Sequence, residues 1–195
     1  FQAPVSPLAH IRRYAAQPRL VLAWVLALGR NGWWLMYFVY TPILIANFGY
    51  GPEVGGMLVS IGLLPMFAVR MWAAGGHRYG IRKLLIAGYL TCGITTLAAG
   101  AMAHWPLMAM ALICLASLFA TMIDGAGNVP FLRAVRPLER SEMTAVFMTF
   151  RHVGALALPA LFAGVLAVAP LPFVFVTSGV IAIGMAGLAR HLPRG

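Results

Sequence analysis

Six apolar stretches follow one another along the chain, each close to the length of about 20 residues that a helix needs to cross a bilayer. They cover residues 20–47, 54–73, 84–103, 106–129, 143–168 and 172–189. Breaks rich in glycine, proline and charge separate them: NFGYGPE, GGHRYGIRK, HWP, LRAVRPLERSE and APLP. This pattern admits few folds. Lipid offers no hydrogen bonds, so each stretch must satisfy its own backbone as a helix. Of the 195 residues 62% are hydrophobic and 9% charged, against about 25% charged in a soluble domain. The chain therefore has too little polar surface to face water. Pro42, Pro65 and Pro159 fall inside the stretches, where neighbouring helices can satisfy the carbonyls they free. The sequence predicts an all-α membrane protein, a six-transmembrane-helix bundle over 18–190. A linker, 1–17, precedes it and a tail, 191–195, follows.

The basic residues fix an orientation. Arg12, Arg13 and Arg19 precede the first span, and Arg70, Arg78, Arg82 and Lys83 bracket the second loop. Arg133, Arg136 and Arg140 lie in the fourth loop, and Arg190 and Arg194 follow the last span. The first, third and fifth loops carry no Lys or Arg. Basic loops face the cytoplasm, so both termini are expected there, with the linker and tail cytoplasmic. A net charge of +10 would suggest nucleic acid in a soluble chain, but lipid-buried helices leave no contiguous basic face, which excludes that partner. Cys92 and Cys114 lie inside spans and read as buried thiols, not as a disulfide or a metal site. Neither metal nor cofactor is expected. The opening FQAPVSPLAHIRRY is no signal peptide. It lacks an initiator Met, so the chain reads as a fragment or processed product.

Arg30, Asp124 and Arg151 fall within spans, where each costs about 2.5–3.5 kcal/mol at a helix centre. At a rise of about 1.5 Å per residue, Arg30 lies about 16 Å beyond Arg19, Asp124 about 14 Å from Arg133, and Arg151 about 16 Å beyond Arg140. All three depths are near the middle of a core about 30 Å thick. Two cations and one anion at one depth can compensate one another. Each shares a helical stripe: Ser117, Thr121, Asp124 and Asn128 on the fourth helix, Arg30, Trp34, Tyr37 and Thr41 on the first, and Thr144, Met148, Arg151 and Ala155 on the fifth. Such stripes should face one another or water. They describe either a structural ion pair or a polar cavity for substrate or protons. Arg30 has a second reading, since its long span would let it snorkel to the interface as an anchor. Glu53 suits the dipole at the start of the second helix. The third and sixth helices carry no interior charge and are expected to meet lipid on most sides. Gly55, Gly56, Gly88, Gly93, Gly100, Gly179, Gly184 and Gly187 read as sites of close helix packing.

The second basic loop, Ala73 to Leu85, reads AAGGHRYGIRKLL. It resembles the signature loop of the major facilitator superfamily, Gly-x-Leu-Ala-Asp-Arg-x-Gly-Arg-Arg/Lys-Lys between two helices. Arg78, Gly80, Arg82 and Lys83 match, while Ala73 replaces the first Gly, His77 the Asp and Ile81 an Arg. The resemblance implies the C-terminal half of a twelve-helix transporter, the family's seventh to twelfth helices. Its partner would be the N-terminal six-helix half, in the same native chain or a second one. His77, Arg78, Gly80, Arg82 and Lys83 would then form a cytoplasmic gate loop, made pH-sensitive by His77. The implied function is secondary active transport of a small-molecule substrate by alternating access, in a plasma membrane or bacterial inner membrane. Asp124 would be a proton-coupling or substrate-cation group. Arg151 and Arg30 would hold Asp124 or an anionic substrate, and Trp34 and Tyr37 would wall the cavity with Thr121 and Asn128. The alternative is a non-transporting six-helix scaffold or an oligomeric channel. An intramembrane enzyme is excluded by the lack of H-E-x-x-H, of G-x-S-x-G and of a Ser-His dyad at one depth.

Overall fold

Proline opens many of the helices in this chain. A computed structural model describes residues 7–193 without the side chains of Pro7 and His77. The gating role expected of the His77 side chain, the first six residues of the linker and Arg194 lie outside the described residues. Pro7–Ala15 (α1), Pro18–Asn47 (α2), Pro52–Leu63 (α3), Pro106–Ala126 (α6) and Pro172–Ala189 (α9) all start on proline. The first-turn N–H groups of a helix have no intrahelical acceptor, so proline costs nothing there. The remaining helices are Val69–Tyr79 (α4), Ile81–Ala101 (α5), Val129–Ala134 (α7) and Arg140–Val168 (α8). Gly80, with φ of 89°, turns the chain between α4 and α5, a backbone angle that a side chain would strain. Among the described residues every regular element is helical.

The second expected span, 54–73, is interrupted. After α3 the chain tightens into a 3₁₀ stretch, Leu64–Ala68, before α4 begins. Pro65 is the cause: it has no N–H to offer, and its ring crowds the carbonyl four residues back. That carbonyl, on Ile61, accepts from the Leu64 N–H instead, the shorter bond of a 3₁₀ turn. Five segments are long and apolar enough to cross a membrane: Pro52–Gly76, Ile81–Ala101, Pro106–Ala134, Pro137–Val168 and Pro172–Ala189. The first expected span, now α2, has 30 residues but is not among them. Arg30, Asn31, Trp33 and Trp34 dilute its apolar character at mid-length.

The bundle is built around α5, which packs against α6 and most extensively against α9. Glycines set that contact. A Cβ added to Gly93 would stand 2.8 Å from the Gly179 carbonyl oxygen, and one added to Gly179 would stand 2.7 Å from that of Gly93. Helix backbones in lipid approach this closely only where side chains are absent. Two hydrogen bonds tie α5 to α2. Trp33 Nε1 donates to Thr96 Oγ1 at 2.8 Å, and the Tyr89 hydroxyl donates to the Leu26 carbonyl. The third and sixth helices were expected to meet lipid on most sides. They pack extensively on each other, leaving outward strips such as Leu90 and Ile94 on α5 and Phe173 and Val180 on α9. Half of the apolar window of α5 is buried within the chain, against 11% for Pro52–Gly76 and for Pro137–Val168. The broad exposed faces therefore belong to α3–α4 and α8.

Part of the expected linker is folded. α1 lies across the start of α8, with His10 Nδ1 3.3 Å from Glu142 Oε2 and Arg13 Nη1 3.6 Å from Glu139 Oε1. The Tyr14 hydroxyl donates to the Leu20 carbonyl at 2.8 Å. Burial pushes that hydroxyl well above the usual tyrosine range, so it keeps its proton and remains a donor.

Candidate functional site

The most polar cluster inside the bundle lies where α2 meets α6. Arg30 Nε stands 3.4 Å from Asp124 Oδ1, with the two side chains 12% and 20% exposed. Arg30 Nη2 donates to Asn128 Oδ1 at 3.0 Å. The second carboxylate oxygen, Oδ2, accepts from Trp34 Nε1 at 2.8 Å. Asp124 is thus held from both sides by one helix, and Arg30 from both ends of one turn of the other. The order follows from spacing: Arg30 and Trp34 are four apart on α2, Asp124 and Asn128 four apart on α6 and its C-terminal end, and residues at that interval share a face. Gly127 completes the fit, because a Cβ there would run into the Arg30 guanidinium.

Aromatic rings extend the cluster along α2. Trp34 meets Trp33 and Tyr37 edge-on at 5.0 and 5.6 Å and stacks with Phe38 at 5.6 Å. Trp33 stacks with Tyr37 at 5.3 Å. These are the offset and edge geometries that ring quadrupoles favour. The Tyr37 hydroxyl donates toward the Leu58 and Val59 carbonyls of α3, at 3.2 Å each, and Gly62 leaves the space for it. Thr121 is buried and donates back to the Leu118 carbonyl of its own helix at 2.7 Å, as hydroxyls in apolar surroundings do.

Five of the residues named from sequence therefore converge or adjoin: Arg30, Asp124, Asn128, Trp34 and Tyr37. Thr121 lies one turn along α6. Arg151 stands apart. It is exposed, its guanidinium sits 6.0 Å from the neighbouring Phe150 ring, and among the described residues it has no carboxylate partner. The pairing with Asp124 expected of Arg151 is made by Arg30. The cause is the seating of α8, which packs on α2 and not on α6. Met143, Phe147, Phe150 and Gly154 take its inward face, leaving Arg151 about 100° around the helix from Phe150. The charged end of Arg30 is turned inward onto the Asp124 carboxylate. Sequence reasoning passed over Trp33, Phe38 and Gly127. The first two carried a signal, since they continue the aromatic pattern at the same helical interval.

In the loop that resembles the signature, Gly80 makes the turn. Arg78 and Lys83 are exposed, and Arg82 is half-buried. Arg78 lies 5.5 Å from the Tyr79 ring. Among the described residues no three His, Cys, Asp or Glu side chains converge as a metal site would need. The cluster offers a neutralised ion pair, an amide and an aromatic wall, a set suited to exchanging a proton or a charged solute group.

A family model described as Major Facilitator Superfamily matches residues 4–194. No curated protein and no solved structure matches the chain.

Proposed function

The chain belongs to the major facilitator superfamily, a family of membrane transporters, and on that premise we propose that it moves a small solute by alternating access with Asp124 as the proton-coupling group. One observation carries this reading: a single carboxylate inside the bundle is held by a guanidinium and an indole that a proton or a cationic solute can replace. Protonating Asp124 removes the charge that holds Arg30. Arg30 is then free to bind an anionic solute or to shift with α2. Trp34, Tyr37, Thr121 and Asn128 form the surroundings of that exchange, and Arg151, on the exposed face of α8, meets the cavity once a second half closes over it. In this reading all six helices cross the membrane with both termini in the cytoplasm, α2 included, because its polar mid-section faces the site.

The partner is a second six-helix half. The exposed faces of α3–α4 and α8 support this, since Met57, Ile61, Leu64 and Phe67 on one and Leu156 and Leu161 on the other are left exposed by the described residues. The test is reconstitution with that half in liposomes holding a pH-sensitive dye, challenged with panels of organic cations and anions. Solute-evoked proton movement is expected, and Asp124→Asn should reduce it by at least about tenfold while insertion, read by protease protection, stays intact. Equal proton movement in the variant sinks the coupling role.

A further inference from the structure

A second feature lies at the end of the bundle that carries the basic loops. A cavity of about 240 Å³ opens between the starts of α2 and α5, the end of α7 and the stretch after α9. Three arginines from three different elements line it, Arg19, Arg82 and Arg133, over an apolar floor that includes Ile81, Ala134 and Leu192. Like charges gathered this way repel, and a chain ordinarily answers with carboxylates. Here none remain. The chain has four Asp and Glu residues in all. Asp124 is paired with Arg30, Glu139 with Arg13 and Glu142 with His10. Glu53 begins α3, about 45 Å away along the length of α2. Among the described residues the three arginines form no salt bridge.

We propose that this cavity binds a phosphate group, supplied by the headgroup of an anionic phospholipid. Planar guanidinium groups match phosphate oxygens in pairs, and basic pockets between helix ends bind anionic headgroups. The floor is apolar, so it accepts the glycerol and upper acyl carbons that follow the phosphate. The volume lies below the about 300–1,000 Å³ of pockets for drug-sized molecules, which favours a headgroup over a large soluble metabolite. The site is separate from the Arg30–Asp124 cluster and needs only that the chain sits in a membrane, not that it transports.

The test uses the purified chain in detergent micelles, titrated with phosphatidylglycerol, with phosphatidylcholine and with inorganic phosphate, reading bound ligand by native mass spectrometry. Phosphatidylglycerol should be retained in preference to phosphatidylcholine. Removing Arg19 and Arg133 together, as R19Q/R133Q, should weaken it about 25-fold, about fivefold for each charge. Ala134→Phe fills the floor without changing charge and should also weaken it. Arg190→Gln, at the same end but outside the cavity, should change binding less than about twofold. Resistance of bound phosphatidylglycerol to inorganic phosphate supports the lipid as source. Displacement by equimolar inorganic phosphate supports the phosphate site but makes a free anion its occupant. Binding by R19Q/R133Q equal to the unaltered chain overturns the proposal. So does an equal loss in Arg190→Gln, the mark of general surface charge.

Discussion

Asp124 has both oxygens engaged, and each partner has a separate role. Arg30 neutralises the carboxylate; Trp34 orients it through one hydrogen bond from its neutral indole. Removing the cation leaves a charge stranded in a poorly solvated place, a larger loss than the pair's net worth. Arg30→Gln is expected to destabilise the bundle by about 3 kcal/mol, and the double variant R30Q/D124N by clearly less than the sum of the two single changes. Thermal unfolding in detergent, followed by tryptophan fluorescence, measures the cycle; additive losses would mean the two groups do not interact. Trp34→Phe keeps an aromatic ring and removes the donor to a charged acceptor, so its cost should be about 1.5–3 kcal/mol. Counting residues from the loop charges was enough to place Arg30 and Asp124 at one depth, and the four-residue intervals brought in Trp34 and Asn128. Depth says nothing of azimuth between helices, however. Arg151, expected at the same depth, does not share the direction, because Phe147 and Phe150 claim the inward face of α8. That preference is visible only once α2 is known to be its neighbour.

Among the elements, the α5–α9 pair depends on a backbone contact that tolerates no side chain. Gly179→Val places a branched group against the Gly93 carbonyl at the point of crossing. A loss of about 1–3 kcal/mol is expected, as for overpacking in a full core. Gly184→Val, where an added Cβ meets nothing within 4 Å, should change little, and the contrast separates crowding from the general cost of valine in a helix. A melting temperature equally lowered in both variants would remove the special role of the crossing. Gly55, Gly88, Gly93, Gly100 and Gly179 were legible as packing sites, but not which helices they join, while Gly56, Gly184 and Gly187, expected to pack alike, meet nothing within 4 Å. The lack of interior charge on α5 and α9 suggested lipid on most sides, whereas a helix uncharged along its interior, with a glycine face, is equally suited to packing inside a bundle. Pro65 was legible as an interruption whose freed carbonyl a neighbouring helix could satisfy. Its resolution into a 3₁₀ stretch followed from the one carbonyl it displaces.

Taken whole, the molecule is well covered on one side and open on the other. The family membership accounts for the open faces if α3–α4 and α8 meet a second half. Spin labels at Met57→Cys and Leu156→Cys, on a C92A/C114A background, should be reached by lipid-dissolved oxygen in the chain alone and lose most of that access when the partner half is present. A label at Ile94→Cys, on the outward strip of α5, should keep its access throughout. Protection at Ile94 instead would place the partner on the opposite side. The two sides also differ mechanically. On one, α5 and α9 touch backbone to backbone at Gly93 and Gly179, with Leu97, Val176 and Ile183 packed tightly around the crossing. On the other, the second span carries a tightened stretch at Leu64–Ala68 and α8 contains Pro159, each a point where the hydrogen-bond ladder is already interrupted. A force applied at either end of the bundle is therefore carried unbent along the α5–α9 keel, and the bending falls on the two helices that border the open face.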